Sequence, residues 1–281
     1  MRLYCYARPT HAWLGLSPGL DFETRIFQKP DAAKLLREAL ARPGYRCSTI
    51  VIGSATDAYQ PFERQTGLTR SLLEVALETG HPVSVVTKSA LILRDLDLWS
   101  ALAARQLAHV GISLTTQDGA LARQLEPRAS APHARLDAIE QLTGAGIPVS
   151  LFASPLIPGL NDHELEKLLG AAQQRGAGSA NYTLLRLPHE VAGLFDQWLK
   201  QHAPEKAARV MAVLYDMRGG RDYDARFGFR MKGLGHFAEL MRQRFDLACR
   251  RFGLSCEMPQ LDHSQFKPPK LANQPRQLNL F

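Results

Sequence analysis

The chain has 281 residues, 45% of them hydrophobic and 22% charged, enough for one large domain or a domain with an appendage; disorder is not the default. No run approaches the roughly 18 uncharged apolar residues of a membrane span, and no basic segment leads into an apolar core at the start, so a cytoplasmic protein is expected. The net charge of +7 and pI near 9.4 favour phosphate-rich partners, because clustered Lys and Arg neutralise phosphates and release counterions.

In chain order, five short apolar or β-branched runs have the length of buried strands: Ser48–Gly53, Pro82–Thr87, Ala108–Leu114, Ile147–Ala153 and Ser179–Leu185. Helical patterns lie between them. Thr69–Thr79 ends before Gly80, Pro132–Ala145 places Leu136, Ile139 and Leu142 on one face, and Asp162–Arg175 offers Asp162 as N-cap and Gly176 as stop. The alternation predicts right-handed crossovers and a parallel sheet, either doubly wound or a complete or partial β/α barrel. After Pro188 the strands give way to helical stretches at Glu190–His202, Glu205–Met217 and Gly235–Phe252, rich in arginine. From Met258 the chain turns polar and proline-bearing, which suits an extended tail more than a packed element. The expected parts are a core over 1–187, a basic helical extension over 188–257 and a tail over 258–281.

In such folds ligands gather at the carboxyl ends of the strands, and the residues there are polar: Thr56-Asp57 after the first run, Thr87-Lys88-Ser89 after the second, Ser113 to Thr116 after the third, Ser154 after the fourth and Arg186 after the fifth. Hydroxyls, a carboxylate, an ammonium and a guanidinium converging on one mouth suit a zwitterionic small molecule. Lys88 reads either as a rim ion pair with Asp57, as a clamp on a ligand carboxylate, or as a Schiff-base amine. Asp57 could instead cap its own turn, and Glu126 and Arg128 could pair with each other or cap the following helix.

The four cysteines, Cys5, Cys47, Cys249 and Cys256, are too scattered for a disulfide framework. The opening Cys5-Tyr6-Ala7-Arg8-Pro9-Thr10-His11 nonetheless looks like the end of a Cys-x-x-x-Cys-x-x-Cys motif. Together with LGLSPGLDFET, TDAYQP, TKSALILRDLDL, ISLTT, EPRA, IPGLND, RGGRDYDARFG and QLNLF, it resembles the radical S-adenosylmethionine (SAM) proteins related to spore photoproduct lyase, over almost the whole chain. The resemblance implies a partial (β/α)6-type barrel lacking its first strand. It also implies a [4Fe-4S] cluster on three thiolates, whose fourth iron binds SAM and whose electron, from a donor protein, releases a deoxyadenosyl radical. By spacing the second thiolate belongs at position 2, where the chain has Arg2, and the first would precede Met1; a shortened or misread N-terminus is the favoured explanation.

On the same resemblance Cys5 would be the remaining cluster ligand, Tyr6 and Ala7 would lie along the adenine, and Asp57, Lys88, Ser113 and Ser154 would line the rest of SAM. Ser54 stands where spore photoproduct lyase carries its hydrogen-donating cysteine, so repair of thymine photoproducts by the same relay is not expected. Arg186 and the loop residues Arg218, Arg221 and Tyr223 are candidates for holding nucleic-acid phosphates and stacking a base. The closing Gln277-Leu278-Asn279-Leu280-Phe281 looks like a peptide that docks on the bacterial β sliding clamp, with Leu280 and Phe281 filling an apolar pocket. The leading expectation is therefore a radical SAM lyase-like enzyme acting on DNA or another nucleic acid. A cluster-less protein associated with DNA or the clamp, and an aldolase-like barrel using Lys88, are the alternatives.

Overall fold

The computed structural model describes residues 4–221 and 229–271, with residues 229 and 230 described by their backbone alone. Five parallel strands, β1 (Ile50–Ile52), β2 (Val83–Thr87), β3 (Ala108–Ser113), β4 (Val149–Leu156) and β5 (Ser179–Leu184), pair in sequence order. A doubly wound sheet would reverse direction partway along its strand order; this one never does, so the sheet is an open arc of a barrel, and it is not closed. Each observed strand falls within two or three residues of its expected bounds. A Cβ at Gly111 would sit 2.5 Å from the Phe152 ring, so glycine is what lets that ring lie across the neighbouring strand.

Helices Leu68–Thr79, Pro132–Gly144 and Leu165–Gln174 cover the outer face, burying Leu73, Ile139, Leu142, Leu168 and Leu169 with the strand residues in one core. Two features differ from the sequence reading. Asp162 does not cap a helix: it begins a short 3-10 turn, Asp162–Glu164, and the helix proper starts at Leu165. In Pro132–Gly144 the fully buried stripe is Arg135, Ala138, Ile139 and Leu142, whereas Leu136 is only half-buried. The alternation also missed helices Ala32–Leu40 and Leu96–Ala103 and the 3-10 segment Arg8–Leu14.

Beyond β5 the helices Val191–His202, Pro204–Asp216 and Gly235–Phe252 form where expected. The last packs on Leu165–Gln174, with the Phe252 ring against Gly170 and Arg244 paired with Glu166 at 2.6 Å. The expected basic face is partly neutralised: Arg242 pairs with Glu239 and Asp246, and Arg218 is buried with its guanidinium donating to the Leu185 carbonyl at 2.7 Å. Among the described residues no helix is long and apolar enough to cross a membrane.

The stretch from Met258 to Leu271 is extended, as its composition implied, yet it is a strap rather than a loose tail. It crosses the amino ends of the strands. Ser255 bridges β5, Asp262 N–H donates to Gln106 O at 2.9 Å, Lys267 N–H to Thr79 O at 2.8 Å, and Phe266 packs on Tyr45 and His81. Gly80 makes room for it: φ is +63°, and a Cβ there would lie 2.5 Å from the Gln265 carbonyl oxygen. Beneath the strap His109, Ser150 and Ser179 form a buried hydrogen-bonded row inside the sheet, with His109 Nε2 2.7 Å from Ser150 Oγ.

Candidate functional site

At the carboxyl end of β1 the chain turns through Gly53, whose φ of +92° and close approach to the Val86 carbonyl admit no side chain comfortably. This turn throws Asp57 across to β2. Its carboxylate accepts from Thr87 Oγ1 at 2.5 Å, from Lys88 N–H at 3.0 Å and from Tyr59 N–H at 3.1 Å, so Asp57 locks the first two strand ends together. The partner of the Lys88 ammonium is not Asp57. Nζ donates to Thr115 Oγ1 at 2.6 Å, Ser154 O at 2.9 Å and Tyr4 Oη at 3.1 Å, and forms an ion pair with Glu126.

Glu126 is likewise not paired with Arg128. Its other oxygen takes Arg135 Nη2 at 2.6 Å, while Arg135 also donates to Ser113 O and Ser130 O. The side chains of Lys88, Glu126 and Arg135 are 3% exposed or less, so a chain of alternating charge runs from the mouth into the Pro132–Gly144 helix without water. Thr115, one of the strand-end hydroxyls, and Tyr4, which the sequence pattern did not mark, complete it by bonding to Glu126. The signal for Arg135 was its position four and seven residues before Ile139 and Leu142, which put it on the apolar stripe.

Above this floor lies a cavity of about 360 Å³, within the rough 300–1,000 Å³ of small-molecule sites. Cys5, Tyr6, Asp57, Lys88, Glu126 and Arg128 line it, and Phe22 and Ile26 from the N-terminal arm form an apolar wall. The arm is held by Arg8, buried and donating to the Pro18 and Gly19 carbonyls and to Glu23, and by Arg128 Nη1, 3.0 Å from Glu23 O. Tyr6 reaches back to Ser54 O, and Arg186 from the end of β5 stacks on the Tyr6 ring, 3.9 Å from its centroid.

The remaining candidates are distributed unevenly. Ser113 Oγ donates to Ser154 O at 3.0 Å, and Ser154 Oγ is buried with no partner among the described residues. Ala7 is buried outside the cavity wall, Arg218 is buried under the Leu185 carbonyl, and Arg221 is exposed. Tyr223, Gln277, Leu278, Leu280 and Phe281 lie outside the described residues. Tyr59 and Tyr182 are structural: Tyr59 accepts from Trp99 Nε1 at 2.8 Å, and burial raises both phenols, Tyr182 to about 12.

The donor set decides which cofactor fits. Cys5 is the thiol at the mouth; Cys47 is on the chain entering β1, and Cys249 and Cys256 border a separate cleft at the end of the last helix. Among the described residues no three metal-ligating side chains gather, and position 2 is Arg, so the residues present do not fit a three-thiolate cluster. A nucleoside carrying an amino-acid tail does fit. The cavity offers an aromatic ring, an apolar wall and two cations, with the Asp57 carboxylate at the strand ends.

The model of the radical SAM superfamily matches residues 3–172. The uncharacterized protein Rv2578c of Mycobacterium tuberculosis is 35% identical over 208 residues, 73% of this chain and 61% of that protein. The uncharacterized protein MJ0683 of Methanocaldococcus jannaschii is 30% identical over 161 residues, 57% of this chain and 58% of that protein, so the chain spans about three fifths of these relatives. Among solved structures, spore photoproduct lyase complexed with dinucleoside spore photoproduct superposes with a TM-score of 0.62 at 16% identity, covering 90% of this chain and 71% of that one. A double mutant of the same lyase with bound AdoMet and dinucleoside spore photoproduct gives 0.60 at 15% identity, with the same coverage. By the family match over residues 3–172, which takes in β1 to β4, the chain belongs to the radical SAM superfamily.

Proposed function

We propose that this chain binds SAM in the mouth of the half-barrel and acts on nucleic acid, as a relative of the radical SAM lyases. The observation that carries the reading is the single cavity that brings Tyr6, Asp57 and Lys88 together with Cys5 at the carboxyl ends of the first two strands. In that reading Tyr6 lies along the adenine with Ala7 behind it. Asp57 fixes the strand ends and Lys88 supplies positive charge from the floor, whereas Ser113 and Ser154 lie outside the cavity wall and act on the ligand only through the Ser154 carbonyl that holds Lys88. Bound SAM supplies this family with a precursor for radical chemistry once an iron-sulfur cluster is present; the donor set here does not fit that cluster.

What this chain's own residues do is bind the ligand. Glu126, Tyr4 and Thr115 hold the Lys88 ammonium in place, and the buried Phe22 with the more exposed Ile26 forms the apolar wall of the cavity on the arm side. The Schiff-base reading is disfavoured by the four oxygens gathered around Lys88 Nζ, the Glu126 carboxylate among them, which hold it as a donor. Nucleic acid is favoured by the net charge of +7, by the Arg186–Tyr6 stack at the mouth, and by the lyase complex with a dinucleoside photoproduct, which shares this fold. Docking of residues 277–281 on a sliding clamp would add a second attachment to DNA.

Titration calorimetry with SAM, and fluorescence anisotropy with single-stranded and duplex oligonucleotides from 50 to 200 mM salt, test the two halves. Micromolar binding of SAM and salt-dependent binding of an oligonucleotide are expected. Failure of SAM to bind would overturn the cofactor assignment, and absence of oligonucleotide binding at low salt would overturn the substrate class.

A further inference from the structure

Two cations line the cavity, and they are not equally available. The three N–H donors of Lys88 already face four oxygens, from Tyr4, Thr115, Ser154 and Glu126, and the side chain is 3% exposed. An incoming carboxylate must compete with Glu126 for that ammonium. Arg128 differs on each count: it is exposed, it lines the same cavity, and among the described residues its guanidinium bonds through Nη1 to the Glu23 carbonyl alone. Pro127 precedes it and Glu126 is pinned to Lys88 and Arg135, so the backbone that carries Arg128 is anchored two residues from the side chain.

Resting on the reading that SAM occupies this cavity, we infer that Arg128 anchors the ligand's carboxylate from the rim while Lys88 supplies charge from the floor. A guanidinium presents donors in a planar fork that matches a carboxylate edge on, and bonding of one arm to Glu23 O fixes the fork without using it up. The same bond touches the arm that carries Phe22 and Ile26 in the cavity wall, but the buried Arg8 holds that arm independently through the Pro18 and Gly19 carbonyls and Glu23.

The test uses the whole chain and two ligands, SAM and methylthioadenosine, which has the same nucleoside but lacks the amino-acid carboxylate. Arg128→Gln should weaken SAM by about tenfold, the order expected for loss of one charge-assisted hydrogen bond. Methylthioadenosine should bind the variant as it binds the wild type, and Arg128→Lys should recover part of the loss. Arg128 is exposed, so the melting temperature should not change, and that measurement excludes misfolding. Equal SAM affinity of wild type and variant would overturn the inference while leaving the cofactor reading standing. If neither ligand binds the wild type, the cofactor reading itself fails and takes the inference with it. If SAM binding is unchanged and only the salt dependence of oligonucleotide binding falls, Arg128 contacts phosphate, and the carboxylate assignment is wrong.

Discussion

The two ends of the same five strands solve the problem of buried polar groups in opposite ways. At the amino ends, His109, Ser150 and Ser179 are neutral, bonded to one another and closed over by the strap. At the carboxyl ends, Lys88, Glu126 and Arg135 form a buried ion-paired chain, and Lys88 and Glu126 border a cavity. Neutral groups need one partner each and then cost little, whereas buried charges are tolerated only as a fully paired chain. The division matches the general separation in β/α barrels between a stabilising end and a reactive end. It also says where each kind of substitution should be felt.

The largest effect is expected from Glu126→Ala. It leaves Lys88 and Arg135 without their counter-charge in a dry site, and denaturant unfolding should show a loss of about 3–5 kcal/mol. A loss below about 1 kcal/mol would place this network in the class of exposed pairs and erase the contrast between the ends. Next is the pH response of the strapped end. Burial lowers His109 to about 4, so the native state holds fewer protons there than the unfolded chain, whose histidine titrates near 6.5. Its stability is fully present above about pH 6.5 and is lost as the pH falls through 4, by about 3 kcal/mol over that interval. His109→Gln, which keeps a partner for Ser150, should flatten that slope when unfolding is followed from pH 7 to 4. An unchanged slope would mean that other groups carry the acid response.

How far the sequence reached follows the same line. The strands were legible because a strand buried on both faces must read as a short apolar run, and Asp57 and Lys88 because a polar residue directly after such a run is placed at the mouth by the topology. The Lys88 partner was not legible. Glu126 lies 38 residues away, beside an arginine that looked like its natural mate, and Arg135 sits in a helix whose leucines drew the face one residue off. The strap was hidden for a different reason. Its attachments are backbone hydrogen bonds to Gln106 and Thr79, which side-chain patterning does not encode, and its prolines and polar residues have the composition of a free tail.

The strap gives the smallest and most local prediction, and it separates the two ends most cleanly. Gly80 does two jobs: it ends the Leu68–Thr79 helix in the left-handed region, and it leaves space for the Gln265 carbonyl. Alanine there meets both a backbone penalty and a clash with a main-chain oxygen that has no rotamer to move through, so Gly80→Ala should cost about 2 kcal/mol. The cost should appear as earlier proteolysis within residues 258–271 and a lower unfolding midpoint, with SAM affinity unchanged, because the altered contact lies at the end of β2 remote from Lys88. If Gly80→Ala weakened SAM binding as much as it weakened the fold, the strap and the mouth would be one cooperative unit, and the partition between a stabilising end and a binding end would have to be given up for this half-barrel.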